Sequence, residues 1–489
     1  MRHHTLGSVC QQLLAHLTLV CLLLAATPTN ASVDAHKLPS LGDTSSSTIS
    51  PQLEREIGEG FLKQLHASLR TSDDPLIKYY VEQQLLNLAQ HSDLRDGIMQ
   101  VVVIDNPDIN AFAAPGGVIG VNLGLLLQAR DVHEYSSVMA HELAHLSQRH
   151  FARGVEEQRA NALPTLAALI GALIIGAAGG GDAALAALST AQAASFADQM
   201  RFSRDREQEA DRIGMNTMAR ANLDPSGASR MFERMARAYR FTRRPPEFLL
   251  THPLSETRIA DVRNQALGFP RRLYEDSLDY QLMRVRAEVH YQKSPNEGIQ
   301  KYRRAVQDDP TNLVANYGLA LSLSEAGQHD EALQRVERLV NENPQSILYN
   351  SAFAELLIAA DQTPAAMRML SHQLVLNPDN APLSMLYANA LNKEGKHVEA
   401  EEVLQRMAQV YPHDVDVWYE LAETAGLAGN ITGVHLARAD YFYLHGAYQR
   451  AVQHLEYAQR LVRRTNPQLQ SKLSQRLQDL RTEIRRQRG

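Results

Sequence analysis

The sequence predicts a mixed α+β domain, mostly helical with one small β-sheet, followed by an all-α solenoid of repeated helix pairs. Three observations predict it. His141-Glu142-Leu143-Ala144-His145 sits inside Ser137–His150, a helix-favouring stretch without Gly or Pro. Met99–Ile104 is a mostly β-branched run that reads as a buried strand. From about Asp276 the chain repeats with a period of 34 residues.

Taken in order, residues 1–31 read as a signal peptide. Arg2 is the one Asp, Glu, Lys or Arg there, Leu13–Ala26 is apolar, and Thr29-Asn30-Ala31 fits a cleavage site. The apolar core is shorter than the roughly 20 residues of a membrane-spanning helix. An exported chain in the periplasm is therefore expected. Both cysteines, Cys10 and Cys21, fall in this segment, so the remainder has no disulfide or thiol chemistry. Residues 32–52, rich in Ser, Thr and Pro, read as a linker.

The α+β domain is expected over residues 53–272. Leu53–Leu69 and Asp74–Gln90 carry helical apolar spacing. After the strand at Met99–Ile104, Asn110–Ala114 (Asn110, Ala111, Phe112, Ala113, Ala114) alternates weakly. Pro115-Gly116-Gly117 then turns the chain into Val118–Val121. The expectation is a small antiparallel sheet. Its Asn110–Ala114 edge either hydrogen-bonds an extended polypeptide or belongs to a hairpin with no substrate role.

On a helix His141 and His145 are one turn apart, offset by only about 40° around the axis, so both imidazoles leave one face. Two metal ligands need that arrangement, and Glu142 beside them can take a proton from the attacking water. Alone, the pair could be two surface histidines. Downstream, Ser203–Met215 reads SRDREQEADRIGM. Glu207 can supply the third ligand that a catalytic zinc needs, and Asp211, four residues on, can accept the N–H of a ligating imidazole. Without the upstream motif the same residues would be an acidic helix face. The alternative pattern with a third histidine fails, because positions 148 and 151 are Gln148 and Phe151.

Leu163–Ala178 holds sixteen residues without a charge. As a helix it would span about 24 Å, less than a hydrocarbon core of roughly 30 Å. It reads as a mobile hairpin over the site, a buried core helix, or a contact with a membrane surface or partner.

The solenoid is expected over residues 273–489. Pro310, Pro344, Pro378 and Pro412 are evenly spaced, as are Ala320, Ala354, Ala388 and Ala422. Ala332, Ala366 and Ala400 keep the period, and Val434 breaks it. Gly327, Gly395 and Gly429 mark the turn between paired helices, with Asp361 the exception. This is the tetratricopeptide pattern, and such solenoids present a surface to protein partners. A net charge of −6 gives no electrostatic case for nucleic acid.

HELAH followed by SRDREQEAD resembles the zinc metallopeptidases that include the CAAX prenyl proteases and the HtpX membrane proteases. NAFAAPGGVIGVNLGL, Asn110–Leu125, is similar to that family's edge strand and following turn. The resemblance implies one zinc per chain on His141, His145 and Glu207, and peptide hydrolysis with Glu142 as base. In the branch with a tetratricopeptide tail it implies that His252, in Thr251-His252-Pro253, reaches the metal. There it would be a fourth ligand that holds the enzyme latent, or an oxyanion stabiliser; otherwise it is a surface-loop histidine. The resemblance further implies quality control of outer-membrane β-barrel proteins, with unfolded or misassembled chains as substrates and the β-barrel assembly machinery as partner. The rival reading is a scaffold or chaperone whose solenoid does the work, with a latent zinc site closed by His252.

Overall fold

The computed structural model describes residues 49–157, 204–239 and 247–488. The expected signal peptide, most of the expected linker and Leu163–Ala178 lie outside them. Among the described residues no helix is long and apolar enough to cross a membrane.

Helix α1 (Pro51–Ser68) starts inside the expected linker because Ser50 caps it, accepting from the Leu53 amide. Helix α2 (Pro75–Gln90) is capped by Asp74, with Pro75 at its first position. Strands β1 (Gln100–Ile104), β2 (Ala111–Ala114) and β3 (Val118–Asn122) form a sheet in the order β1-β3-β2. The β2–β3 pair is antiparallel, but β1 runs parallel to β3. The expected antiparallel pair is therefore present, and the parallel β1 makes the sheet mixed. Burial on both faces explains why the parallel pair is stable. Val102, Ile104, Phe112 and Val118 pack with Phe61, Leu62 and Leu65 of α1 on one side. Val103, Ile119 and Val121 join the main core on the other.

The outer edge of β1 is covered by the 70–72 segment, since the Ser72 amide donates to the Val103 carbonyl and the Asp105 amide donates to the Arg70 carbonyl. That leaves β2 as the other edge, with no further strand paired to it among the described residues. Asn122 N–H donates to the Asn110 carbonyl. By antiparallel alternation, Ala111 and Ala113 then aim their peptide groups outward.

Helix α3 (Leu123–Gln128) leads to α4 (Val132–Ser147), whose N-cap Asp131 accepts from the Glu134 amide. The helices α5 (His150–Glu157), α6 (Arg204–Arg220), α7 (Ser226–Tyr239), α8 (Glu247–Thr251) and α9 (Glu256–Leu267) follow. An irregular pair, α10 (Leu278–His290) and α11 (Pro295–Asp308), opens the solenoid. Next come α12 (Leu313–Glu325), α13 (His329–Glu342), α14 (Ile347–Ala359), α15 (Thr363–Leu376), α16 (Ala381–Lys393) and α17 (His397–Val410). The last are α18 (Val415–Leu427), α19 (Ile431–Leu444), α20 (Tyr448–Val462) and α21 (Pro467–Arg488). The turns inside the pairs need a left-handed residue. Gly327, Gly395 and Gly429 supply it with φ of 77, 73 and 76°, and Asp361 does so at 59°.

The core does not stop at the expected boundary between residues 272 and 273. One cluster of buried side chains runs from Leu76 through Tyr135 and Tyr280 to Leu386 and Ala390. Tyr280 stands between Tyr80 and Tyr135, and its hydroxyl donates to the carbonyls of Leu126 and Ala129 at 3.1 and 3.0 Å. Buried Arg286 reaches Asp74 at 2.7 Å and Glu355 at 2.9 Å. Lys78 bridges Asp414 and Asp416 at 2.9 and 2.8 Å. Lys63 lies 3.4 Å from Glu483, near the end of α21.

Candidate metal centre

Helices α4 and α6 cross at close range because Gly214 has no side chain. A Cβ there would stand 3.1 Å from Ala140 C and His141 N. The approach turns Glu207 and Asp211, one turn apart on α6, toward His141 and His145, one turn apart on α4. Helix α8 then delivers His252, whose N–H donates to the Phe248 carbonyl at 2.8 Å.

His141, His145, Glu207 and His252 each offer one ligand atom, and these atoms all lie within 4.8 Å of one another. Each residue is 4% exposed or less. His141 Nε2 is 2.9 Å from His145 Nε2, 3.4 Å from His252 Nδ1 and 3.4 Å from Glu207 Oε2. His252 Nδ1 is 3.1 Å from Glu207 Oε1. Three imidazoles and a carboxylate converging in a buried space suit a zinc-type cation, which favours nitrogen and carboxylate donors in tetrahedral sets.

The groups behind the donors fix their orientation. His141 Nδ1 lies 2.9 Å from Asp211 Oδ1, so its Nε2 faces inward. Arg258 holds both carboxylates. It meets Asp211 at 2.8 Å, Glu207 at 2.8 Å, and the Pro253 carbonyl at 2.9 Å. Burial favours neutral groups here, but for three residues local charge wins. His141 is lifted to about 10, because the hydrogen bonds and charges of Glu207 and Asp211 outweigh its burial. Burial raises Glu207 and Asp211, yet His252 and His141 carry the first well below the carboxylate range, and His141 with Arg258 lowers the second. Burial, with the charge of His141, holds His145 well below the usual histidine value.

Glu142 completes the arrangement. Burial raises its pKa, against the charges of His252 and His141 and a hydrogen bond from the Ala113 amide. A raised carboxylate suits a proton-transfer role near neutral pH. His252 Nε2 is 3.4 Å from Glu142 Oε1. Strand β2 therefore passes directly beside Glu142, with an outward amide already on its carboxylate. A cavity of about 310 Å³ opens next to His145, lined by Ile98, Met99, Pro115, Leu146 and Phe151 among others. A larger cleft of about 570 Å³, between Asp93, Glu209, Arg212 and Arg220, includes none of the four donors.

His141, Glu142, His145, Glu207, Asp211 and His252 are thus brought together, with Ala113 alone of the Asn110–Ala114 strand against them, and two unexpected residues join them. Arg258 lies in the same Phe248–Ala260 stretch as His252, and its signal was an arginine six residues on. His150 closes the Ser137–His150 stretch. Its Nδ1 is 2.8 Å from His145 Nδ1.

Comparison with known proteins agrees with this geometry. Peptidase family M48 matches residues 75–266, and the tetratricopeptide repeat matches residues 290–356 and 357–423. The chain is 30% identical over 453 residues to the beta-barrel assembly-enhancing protease of Escherichia coli O157:H7, covering 91% of this chain and 92% of that one. A relative from Vibrio cholerae serotype O1, whose name assigns it the same role provisionally, is 35% identical over 451 residues, covering 91% and 93%. The mitochondrial metalloendopeptidase OMA1 of Schizosaccharomyces pombe is 32% identical over 183 residues, 37% of this chain and 51% of that one.

Proposed function

The chain belongs to Peptidase family M48, and from that premise we propose that it is a zinc endopeptidase of the bacterial periplasm acting on outer-membrane β-barrel proteins that have failed to assemble. That it is a metalloprotease follows from the family. The single observation that carries the finer reading is the buried quartet of His141, His145, Glu207 and His252 beside Glu142 and the edge strand β2.

In this reading His141, His145 and Glu207 hold one zinc, and Asp211 orients His141. A bound zinc supplies a Lewis acid that makes water a nucleophile at neutral pH. Glu142 takes the proton of the attacking water and returns it to the leaving amine. The outward peptide groups of Ala111 and the outward Ala113 carbonyl pair with the substrate backbone as an added strand, which suits unfolded β-rich chains. The tetratricopeptide helices dock a protein partner, and the names of the relatives support the β-barrel assembly machinery as that partner. Those names also support the periplasm, as does the expected signal peptide.

Glu142→Gln tests the reading. It should keep zinc and fold while abolishing cleavage of an unfolded polypeptide, because an amide cannot accept the proton. Full residual cleavage would place the base elsewhere.

One observation favours a second reading. His252 Nδ1 lies as close to Glu207 and His141 as a fourth ligand would. Four protein ligands leave no position for water, so the resting form would be latent until His252 swings away. Swung away, the same imidazole could stabilise the oxyanion of the tetrahedral intermediate. If the Glu142→Gln chain rescued every cellular function, the scaffold reading would stand instead.

A further inference from the structure

Outside the quartet, a second chain of polar groups runs from His145 toward the surface. His150 Nδ1 is 2.8 Å from His145 Nδ1, and His150 Nε2 is 3.1 Å from Glu209 Oε2. His150 is fully buried, while the Glu209 side chain is 29% exposed and also pairs with Arg153 at 2.9 Å. An uninterrupted helix would not make this contact, since five residues rotate about 140° away from the starting face. The chain breaks instead at Arg149, which takes a left-handed φ of 49°. That conformation is strained for a residue with a Cβ. The Arg149 guanidinium is anchored by Glu54 at 3.0 Å and the Ile49 carbonyl at 2.8 Å, which holds the kink. Arg206 fixes the other side, donating to the His150 carbonyl at 3.2 Å.

We propose that His150 and Glu209 are positioning residues that decide which nitrogen of His145 faces the metal. The logic is one of protons. A carboxylate only accepts, so a neutral His150 keeps its proton on Nε2 toward Glu209. Its Nδ1 is then an acceptor, and His145 must carry its own proton on Nδ1. His145 Nε2 is left with a lone pair aimed at the other donors. His141 gets the same result from a carboxylate directly; His145 gets it through a second imidazole. Glu207 and Glu209, two residues apart on α6, thus serve opposite sides of the same ring.

The proposal rests on His145 being a metal ligand, and the test separates the two. Zinc affinity is measured by chelator competition on the full chain, with circular dichroism as the check on folding. His150→Phe should weaken zinc binding roughly 10–100-fold. His150→Asn, whose amide oxygen can stand where Nδ1 stood, should recover most of that loss. Glu209→Ala should weaken binding less, and should add nothing in the His150→Phe background. A folded His150→Phe chain with wild-type affinity would overturn the proposal, as would equal loss in the Phe and Asn variants. Should His150→Phe not fold, Glu209→Ala decides, and unchanged affinity there overturns it. His145→Ala with undiminished zinc would instead overturn the ligand assignment itself.

Discussion

Arg258 shows how much of the site depends on one buried cation. It sits between Asp211 and Glu207, 2.8 Å from each, and adds its charge to those of His141 and His252 where two carboxylates stand side by side at 5% and 2% exposure. Arg258→Met should leave that charge uncompensated, and loss of one partner from a buried pair costs about 3–5 kcal/mol. Thermal unfolding and zinc content of the purified variant would both report it; unchanged values would mean the carboxylates find another cation. His252→Ala should act by sign. Higher basal proteolysis, including self-cleavage, marks the latch, and lost cleavage with zinc retained marks the oxyanion role. Wild-type turnover with wild-type zinc affinity would reject both. At this scale the sequence was legible where contacts follow helical spacing. His141 with His145, and Glu207 with Asp211, are each four residues apart. Arg258 and His150 were not legible, because one contact crosses between helices and the other needs a left-handed turn at an arginine, which no local preference announces.

Among the elements, two contacts decide where the site stands. Gly214 sets the distance between α4 and α6. Gly214→Val should push a branched side chain into the Ala140–His141 backbone and carry Glu207 away from the histidines. Zinc affinity and cleavage should fall together; a variant with normal zinc affinity would show that the helices tolerate the separation. His66 lies where α1 meets the α19–α20 turn, its ring 5.9 Å from that of His445, with neither nitrogen hydrogen-bonded among the described residues. Burial first, and then His445, pull its pKa down to about 3. The folded chain holds it neutral, whereas the unfolded chain protonates it near 6.5. Its contribution is therefore complete above about pH 6.5 and is lost as pH falls toward 3, to an extent on the order of a few kcal/mol. His66→Phe should flatten this part of the acid limb, so that stability in denaturant differs less between pH 7 and pH 5 than in the parent. An identical pH dependence would place the acid sensitivity elsewhere. The helices and the repeat period were legible from spacing alone. The direction of β1 was not, since a β-branched run of residues serves parallel and antiparallel pairing alike.

For the whole molecule, the repeats form a wall of the peptidase as well as a docking surface. Tyr280 and Arg286 of α10 complete a core and an ion-pair network that begin at Asp74 and Tyr80. A chain ending at residue 272 would expose Tyr80 and Tyr135, take Arg286 away from Asp74, and take Asp414 and Asp416 away from Lys78. We expect that fragment to be insoluble or molten, with lost near-ultraviolet dichroism, and to bind zinc weakly. A soluble, cooperatively folding fragment with normal zinc affinity would show that the two parts are independent. The abrupt onset of the 34-residue period suggested a division that the packing does not respect, because a repeat pattern reports the fold of each unit and not what its outer faces touch.

The bridge from Lys63 to Glu483 spans 420 residues, and that from Lys78 to Asp414 spans 336. Closing such loops adds little to the free energy, since each doubling of length costs only about 0.6 kcal/mol. It slows folding, because distant segments must meet before the contact pays back its ordering. During synthesis the first helices arrive long before the repeats that cover them. Refolding should accordingly show a slow late phase, absent when Lys78 is replaced by Met, in which α1 and α2 become protected from hydrogen exchange. In time rather than in space, the frame behind the metal site closes only when the last helices reach the first.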